Sequence, residues 1–136
     1  MPNRGSLRGQ PALSAEAREA LDGQLGEAAA EGAAAAIERL AAEGASPNAH
    51  NRYGTPVVRW AVDGGRVGAV AALARRGADL DARDSYRGWT ALMEAASFGQ
   101  VECARALLAG GADRTLRATG GLYEGKTTLE MAEALG

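Results

Sequence analysis

The segment Gly120-Gly-Leu-Tyr-Glu-Gly125-Lys126-Thr127 has the spacing G-x-x-x-x-G-K-[ST]. In a phosphate-binding loop, that spacing turns backbone N–H groups onto nucleotide phosphates. The lysine then meets the terminal phosphates and the hydroxyl meets Mg²⁺. Such chemistry needs an apolar strand feeding the loop and a long helix leaving it. Here the preceding stretch, Asp113–Thr119, is polar, and only a few helical turns follow. The spacing is therefore read as part of a connection, and no nucleotide cofactor is expected. His50 is the only histidine and Cys103 the only cysteine. A Cys–His pair would be the one nucleophile–base combination available, but the two fall in different units and on different faces of the register described below. No catalytic residue, metal site or internal disulfide is expected. Asp79, Asp81, Asp84 and Asp113 occupy turn positions, where Asp accepts local hydrogen bonds.

The elements that would position these residues recur along the chain. Gly77-Ala78-Asp79 is preceded by Gly44-Ala45-Ser46 and followed by Gly111-Ala112-Asp113. Ahead of each copy lie two apolar runs with helical spacing, such as Leu25, Ala28 and Ala29, then Ile37 and Leu40. Gly32, Gly65 and Gly99 separate the two runs and suit a sharp turn with φ > 0. The units open on Gly54-Thr-Pro56, Gly88-Trp-Thr90 and Gly125-Lys-Thr127. A repeat of this period denotes a stacked-repeat architecture.

This pattern resembles the ankyrin repeat, G-x-T-P-L-H-x-A-A-x-x-G followed by an apolar helix and G-A-D, over roughly residues 24–136. The Thr-Pro-Leu-His core is degenerate, with Thr90, Thr127 and a shifted Pro56 surviving. The resemblance implies an all-α fold: an ankyrin-repeat solenoid of stacked antiparallel helix pairs with projecting turns, its last repeat incomplete. Residues 1–12 are expected to form a disordered tail and 13–136 the repeat domain. Within it a capping helix is expected at 13–23, repeats at about 24–50, 51–83 and 84–117, and a partial one at 118–136. Ser14 is a candidate N-cap, with Glu16 and Glu19 favourable in the first turns. The fourth unit has one helix, Thr128–Leu135, so Leu129, Met131 and Leu135 cannot all be covered by the third.

The formal net charge is −2, which offers no bulk attraction for nucleic acid. No apolar run approaches the length of a membrane span. The first residues carry Arg4 and Arg8 but no apolar signal core, and the single cysteine fits an intracellular compartment, cytoplasmic or nuclear.

The aromatic residues suggest a binding surface. In the repeat register Tyr53, Tyr86, Trp89 and Tyr123 fall on projecting turns and Phe98 at the end of a first helix, whereas Trp60 takes a packing position. Arg52, Arg83, Arg87, Arg117 and Lys126 share those rows, with Asp63 opposing them. Tyr, Trp and Arg are the residues most enriched at interface hot spots. These eleven positions are the expected partner-binding residues, with Trp89 at the centre, unless the aromatics merely stiffen adjacent turns. The resemblance implies a protein-interaction module using its concave turn-and-helix face, and the basic strip favours an acidic or phosphorylated partner. Two alternatives stand beside it. Residues 44–54 look similar to the first inter-repeat turn of ankyrin-type cyclin-dependent kinase inhibitors. The incomplete last repeat would suit a structural or self-associating role.

Overall fold

The computed structural model describes residues 13–121 and 123–135, the side chain of residue 135 excepted. Among them are seven helices: α1 (Ala15–Glu31), α2 (Ala34–Ala42), α3 (Val57–Asp63), α4 (Val67–Arg75), α5 (Ala91–Ser97), α6 (Val101–Ala109) and α7 (Thr128–Leu135). They form two layers. The inner row runs α1, α3, α5, α7, and the outer row runs α2, α4, α6, each outer helix antiparallel to its partner in the inner row.

Ser14 caps α1, its hydroxyl accepting from the Ala17 amide at 3.0 Å. The separate capping helix expected at 13–23 does not exist; α1 runs unbroken through Gly23 for 17 residues. A lone glycine inside a helix costs about 1 kcal/mol, too little to end a helix whose far end is anchored by buried Leu25, Ala28 and Ala29. Its far end is set by glycine. Gly32, Gly65 and Gly99 have φ of 82°, 67° and 68°, a left-handed conformation costly for other residues. At each, the next amide reaches back into the ending helix: Ala33 to the Ala28 carbonyl, Arg66 to Ala61 and Gln100 to Ala95. One turn chemistry thus closes all three helix pairs.

The core lies between the rows. Leu25, Ile37, Leu40, Val58, Val62, Val70, Leu73, Leu92 and Leu107 are buried there, and alanines at the contacts let the helices approach closely. A second, smaller cluster joins α5 to α7 through Trp89, Met93, Ala118 and Met131.

The connections project from the inner side. Two carry a single antiparallel bridge, His50 with Pro56 and Arg117 with Thr127, and no strand forms among the described residues. Asn51 Oδ1 accepts from the amides of Tyr53 and Thr55; Asp84 Oδ1 does the same for Arg87 and Trp89. Adjacent units are stitched in register. The amides of Ser46, Asp79 and Asp113 donate to Asp22, Asn48 and Asp81 at 2.7, 2.6 and 2.8 Å. No helix among the described residues is long and apolar enough to cross a membrane.

Candidate binding surface

The inner helices and the projecting turns enclose three adjoining hollows. The first, about 500 Å³, lies between the front of α1 (Arg18, Glu19, Asp22) and the first turn (His50, Arg52), with Trp60 of α3 as a wall. The second, about 440 Å³, is bounded by Ala30, Asn51, Trp60 and Asp63. The third, about 370 Å³, lies between Val62 and Asp63 of α3, Glu94 of α5 and Phe98 just past the end of α5. Trp60 is shared by the first two and Asp63 by the last two, so the hollows read as one groove. Gly26 makes room for the indole: a Cβ there would stand 2.9 Å from the Trp60 ring. The tryptophan therefore lies half-buried against the α1 backbone, not inside its own helix pair as its repeat position suggested.

Beneath the groove an ion network joins α3, the turn 84–89 and α5. Arg59 reaches Asp84 at 2.6 Å, Glu94 at 2.8 Å and Asp63 at 3.2 Å. Arg87 reaches the same Glu94 oxygen at 2.9 Å and Asp84 at 3.6 Å, with its guanidinium over the Trp89 ring at 3.8 Å. Burial opposes ionisation of Asp84. Hydrogen bonds from the Arg87 amide, the Arg59 guanidinium and the Trp89 amide outweigh it, and the carboxyl is held below its ordinary value. Glu94 goes the other way: burial, helped by neighbouring Asp63, pushes it up against the pull of Arg59 and Arg87. Asp84 and Glu94 are buried, so the network carries structural weight.

The expected binding residues divide. Tyr53, Tyr86 and Phe98 are 72%, 87% and 65% exposed. Arg52 is exposed, its guanidinium 5.6 Å from the Tyr53 ring centre, and Lys126 and Asp63 are exposed as well. Trp89 is not on the surface: it is 5% exposed, packed on Met93, Met131 and Ala118, with the half-buried Tyr123 ring 6.1 Å away. The longer connection after the third unit folds back and supplies the wall that covers it. Three of the expected cations are also committed internally. Arg87 sits in the ion network. Arg83 donates to the carbonyls of Gly88 and Arg117, both at 2.7 Å. Arg117 donates to the Gly125 carbonyl at 2.8 Å and pairs with Glu130 at 3.1 Å. The basic strip expected from the sequence thus shrinks to Arg52 and Lys126.

Sequence reasoning missed Trp60, Arg59 and Glu94 as parts of this surface. The readable signals were Gly26, an open place in α1 one unit earlier, and the i, i+4 spacing of Arg59 and Asp63. The phosphate-loop spacing is absorbed by the last turn. The Gly125 amide donates to the Ala118 carbonyl at 2.7 Å. Thr127 caps α7, accepting from the Glu130 amide at 3.2 Å while its own amide donates to the Glu130 carboxylate at 3.0 Å. His50 is exposed beside the first hollow and Cys103 is buried in α6, where burial pushes its thiol up.

Stacked helix pairs, interlocked turns and a row of adjoining hollows define a helical-repeat scaffold. The chain belongs to the ankyrin-repeat family, whose profile, "Ankyrin repeats (3 copies)", matches residues 25–118. It is similar to "Ankyrin repeat and SAM domain-containing protein 6" of Rattus norvegicus, with 45% identity over 67 residues. That match covers 49% of this chain and 8% of the rat protein. The Mus musculus protein of the same name matches over the same shares. An ankyrin repeat-containing protein of Treponema pallidum (strain Nichols) is 42% identical over 79 residues, 58% of this chain and 25% of its own length. The chain thus spans a quarter or less of these relatives. Ankyrin repeats are in general protein–protein interaction modules.

Proposed function

We propose that this chain binds a partner protein by laying an extended segment of it along the groove, and that it acts by presentation without catalysing a reaction. The observation that carries this reading is the continuity of the groove from Arg52 to Phe98, with Trp60 in its wall and Tyr53 and Tyr86 exposed on the projecting turns. Aromatic side chains supply large contact area with few rotors to freeze, and a stack already ordered lowers the entropy cost of association. Of the residues expected from sequence, Arg52, Tyr53, Asp63, Tyr86, Phe98 and Lys126 stay in the proposed site, and Trp60 joins them. An acidic or phosphorylated partner would have Arg52 and Lys126 to meet at the turns. Its lone cysteine, held in the core of α6, supports a place inside the cell, in cytoplasm or nucleus.

The test is selection of random linear peptides displayed on phage against the full chain, followed by amide hydrogen exchange with the selected peptide bound. Protection is expected at Asn51–Thr55 and along α3 and the end of α5. Protection confined to the outer helices α2, α4 and α6 contradicts the reading. Exposed Leu129 on α7 supports a second reading, self-association through that side. Sedimentation should then show an oligomer that Leu129→Glu disperses.

A further inference from the structure

We infer that the middle of the groove receives a cationic side chain, Arg or Lys, from the partner segment, seated between Trp60 and Phe98 and facing Asp63 and Glu94. This rests on the groove being the binding site. The second and third hollows are lined by two carboxylates, Asp63 and Glu94, and by no cation. The ion network below sets three carboxylates, Asp63, Asp84 and Glu94, against two guanidiniums, Arg59 and Arg87. One negative charge therefore lacks a counter-charge. Neither guanidinium is free to supply more: the Arg59 side chain is 11% exposed and already contacts all three acids, and Arg87 is stacked on Trp89. Arg66, beside the second hollow, is turned onto the Ala30 carbonyl at 3.1 Å. The Gln100 amide is spent on the Val62 carbonyl at 3.0 Å.

The excess charge is on the groove side. The Asp63 side chain is 48% exposed, with one oxygen on Arg59, and it lines both hollows. The walls suit a cation as well. Trp60 stands three residues before Asp63 on the same face of α3. Phe98, the residue that ends α5, donates its amide to the Glu94 carbonyl at 3.1 Å and lines the third hollow beside Glu94. An ammonium or guanidinium between them gains a charge-assisted hydrogen bond and an aromatic face. A phosphate or carboxylate at the same place would meet like charge. Burial, a hydrogen bond with Asp63 and the Asp63 charge push the Glu94 carboxyl up despite Arg59 and Arg87, which agrees with a site short of positive charge. The structure thus favours a partner segment that is basic at this position, beside any acidic group that Arg52 and Lys126 meet at the turns.

The test uses the phage-selected peptides. They should carry Arg or Lys at one fixed position, and replacing it with Ala should weaken binding to the wild type by roughly tenfold or more. The same replacement should cost little against Asp63→Asn, or against Asp63→Asn with Glu94→Gln where a melting curve confirms the fold. Groove-bound peptides with no recurring cation, or with one whose loss costs as much on Asp63→Asn as on the wild type, overturn the inference and leave the groove reading standing. Peptides whose protection lies off the groove, or a selection that enriches none, overturn both.

Discussion

Trp89 fills the space between α5 and the last turn, so its removal leaves a void lined by Met93, Met131 and Ala118. Burying an indole and then deleting it typically costs about 3 kcal/mol or more. Trp89→Ala should lower the urea midpoint accordingly, with the m-value retained. Asp84 makes a second residue-level claim. Its folded pKa lies below the ordinary 3.8, so it contributes stability that is fully present above that value. The contribution is lost as pH falls through the lower folded value. Asp84→Asn removes a buried partner of Arg59 and should cost about 3 kcal/mol at neutral pH. The gap between mutant and wild type should then close in denaturation curves taken progressively below pH 3.8. A gap that persists unchanged into strong acid would show that the charge of Asp84 is not what matters. Glu94 has the opposite sign: its raised pKa makes stability rise as pH falls toward the ordinary 4.5.

At the scale of elements, α7 is the last helix of the inner row among the described residues. Its main packing partner is α5, and among its described side chains only Met131 enters a buried cluster. Repeat stability is close to a sum of neighbouring interfaces, so amides beyond about Ala118 should exchange faster than those of Ala61–Leu73. Equal protection in a monomer would place the weak point elsewhere. The elements were the legible part. Paired alanines, the Gly-Ala-Asp register and the closing glycines each report a local backbone requirement, and α2 to α6 lie within the units they mark, while α1 starts at Ala15, ahead of the first. The boundary that failed, between a capping helix and the first repeat, lay at Gly23. Nothing but weak propensity marked a break there, and the tertiary anchor at Leu25 overrode it.

For the whole molecule, the binding face was legible in outline and not in chemistry. Register places a side chain on a turn or a helix face, which suffices for exposed Tyr53, Tyr86 and Phe98. It cannot say which neighbour will reach over and claim that side chain. Arg83, Arg87 and Arg117 are claimed by carbonyls and acids of other segments, and Trp89 by a turn that begins almost thirty residues downstream (from Ala118). Trp60 is released to the groove because α1 has no side chain at Gly26. The two tryptophans therefore exchange the roles that spacing alone assigns them. The most direct measurement pairs Trp60→Ala with Trp89→Ala, reading affinity for one selected peptide and the melting temperature on the same samples. A central aromatic anchor is worth ~2 kcal/mol or more on truncation, about thirtyfold in Kd. Trp60→Ala should lose at least that much affinity with a small change in melting temperature, while Trp89→Ala should melt well below the wild type and keep its affinity where folded. Affinity lost at Trp89 and untouched at Trp60 would contradict the groove as the site of function.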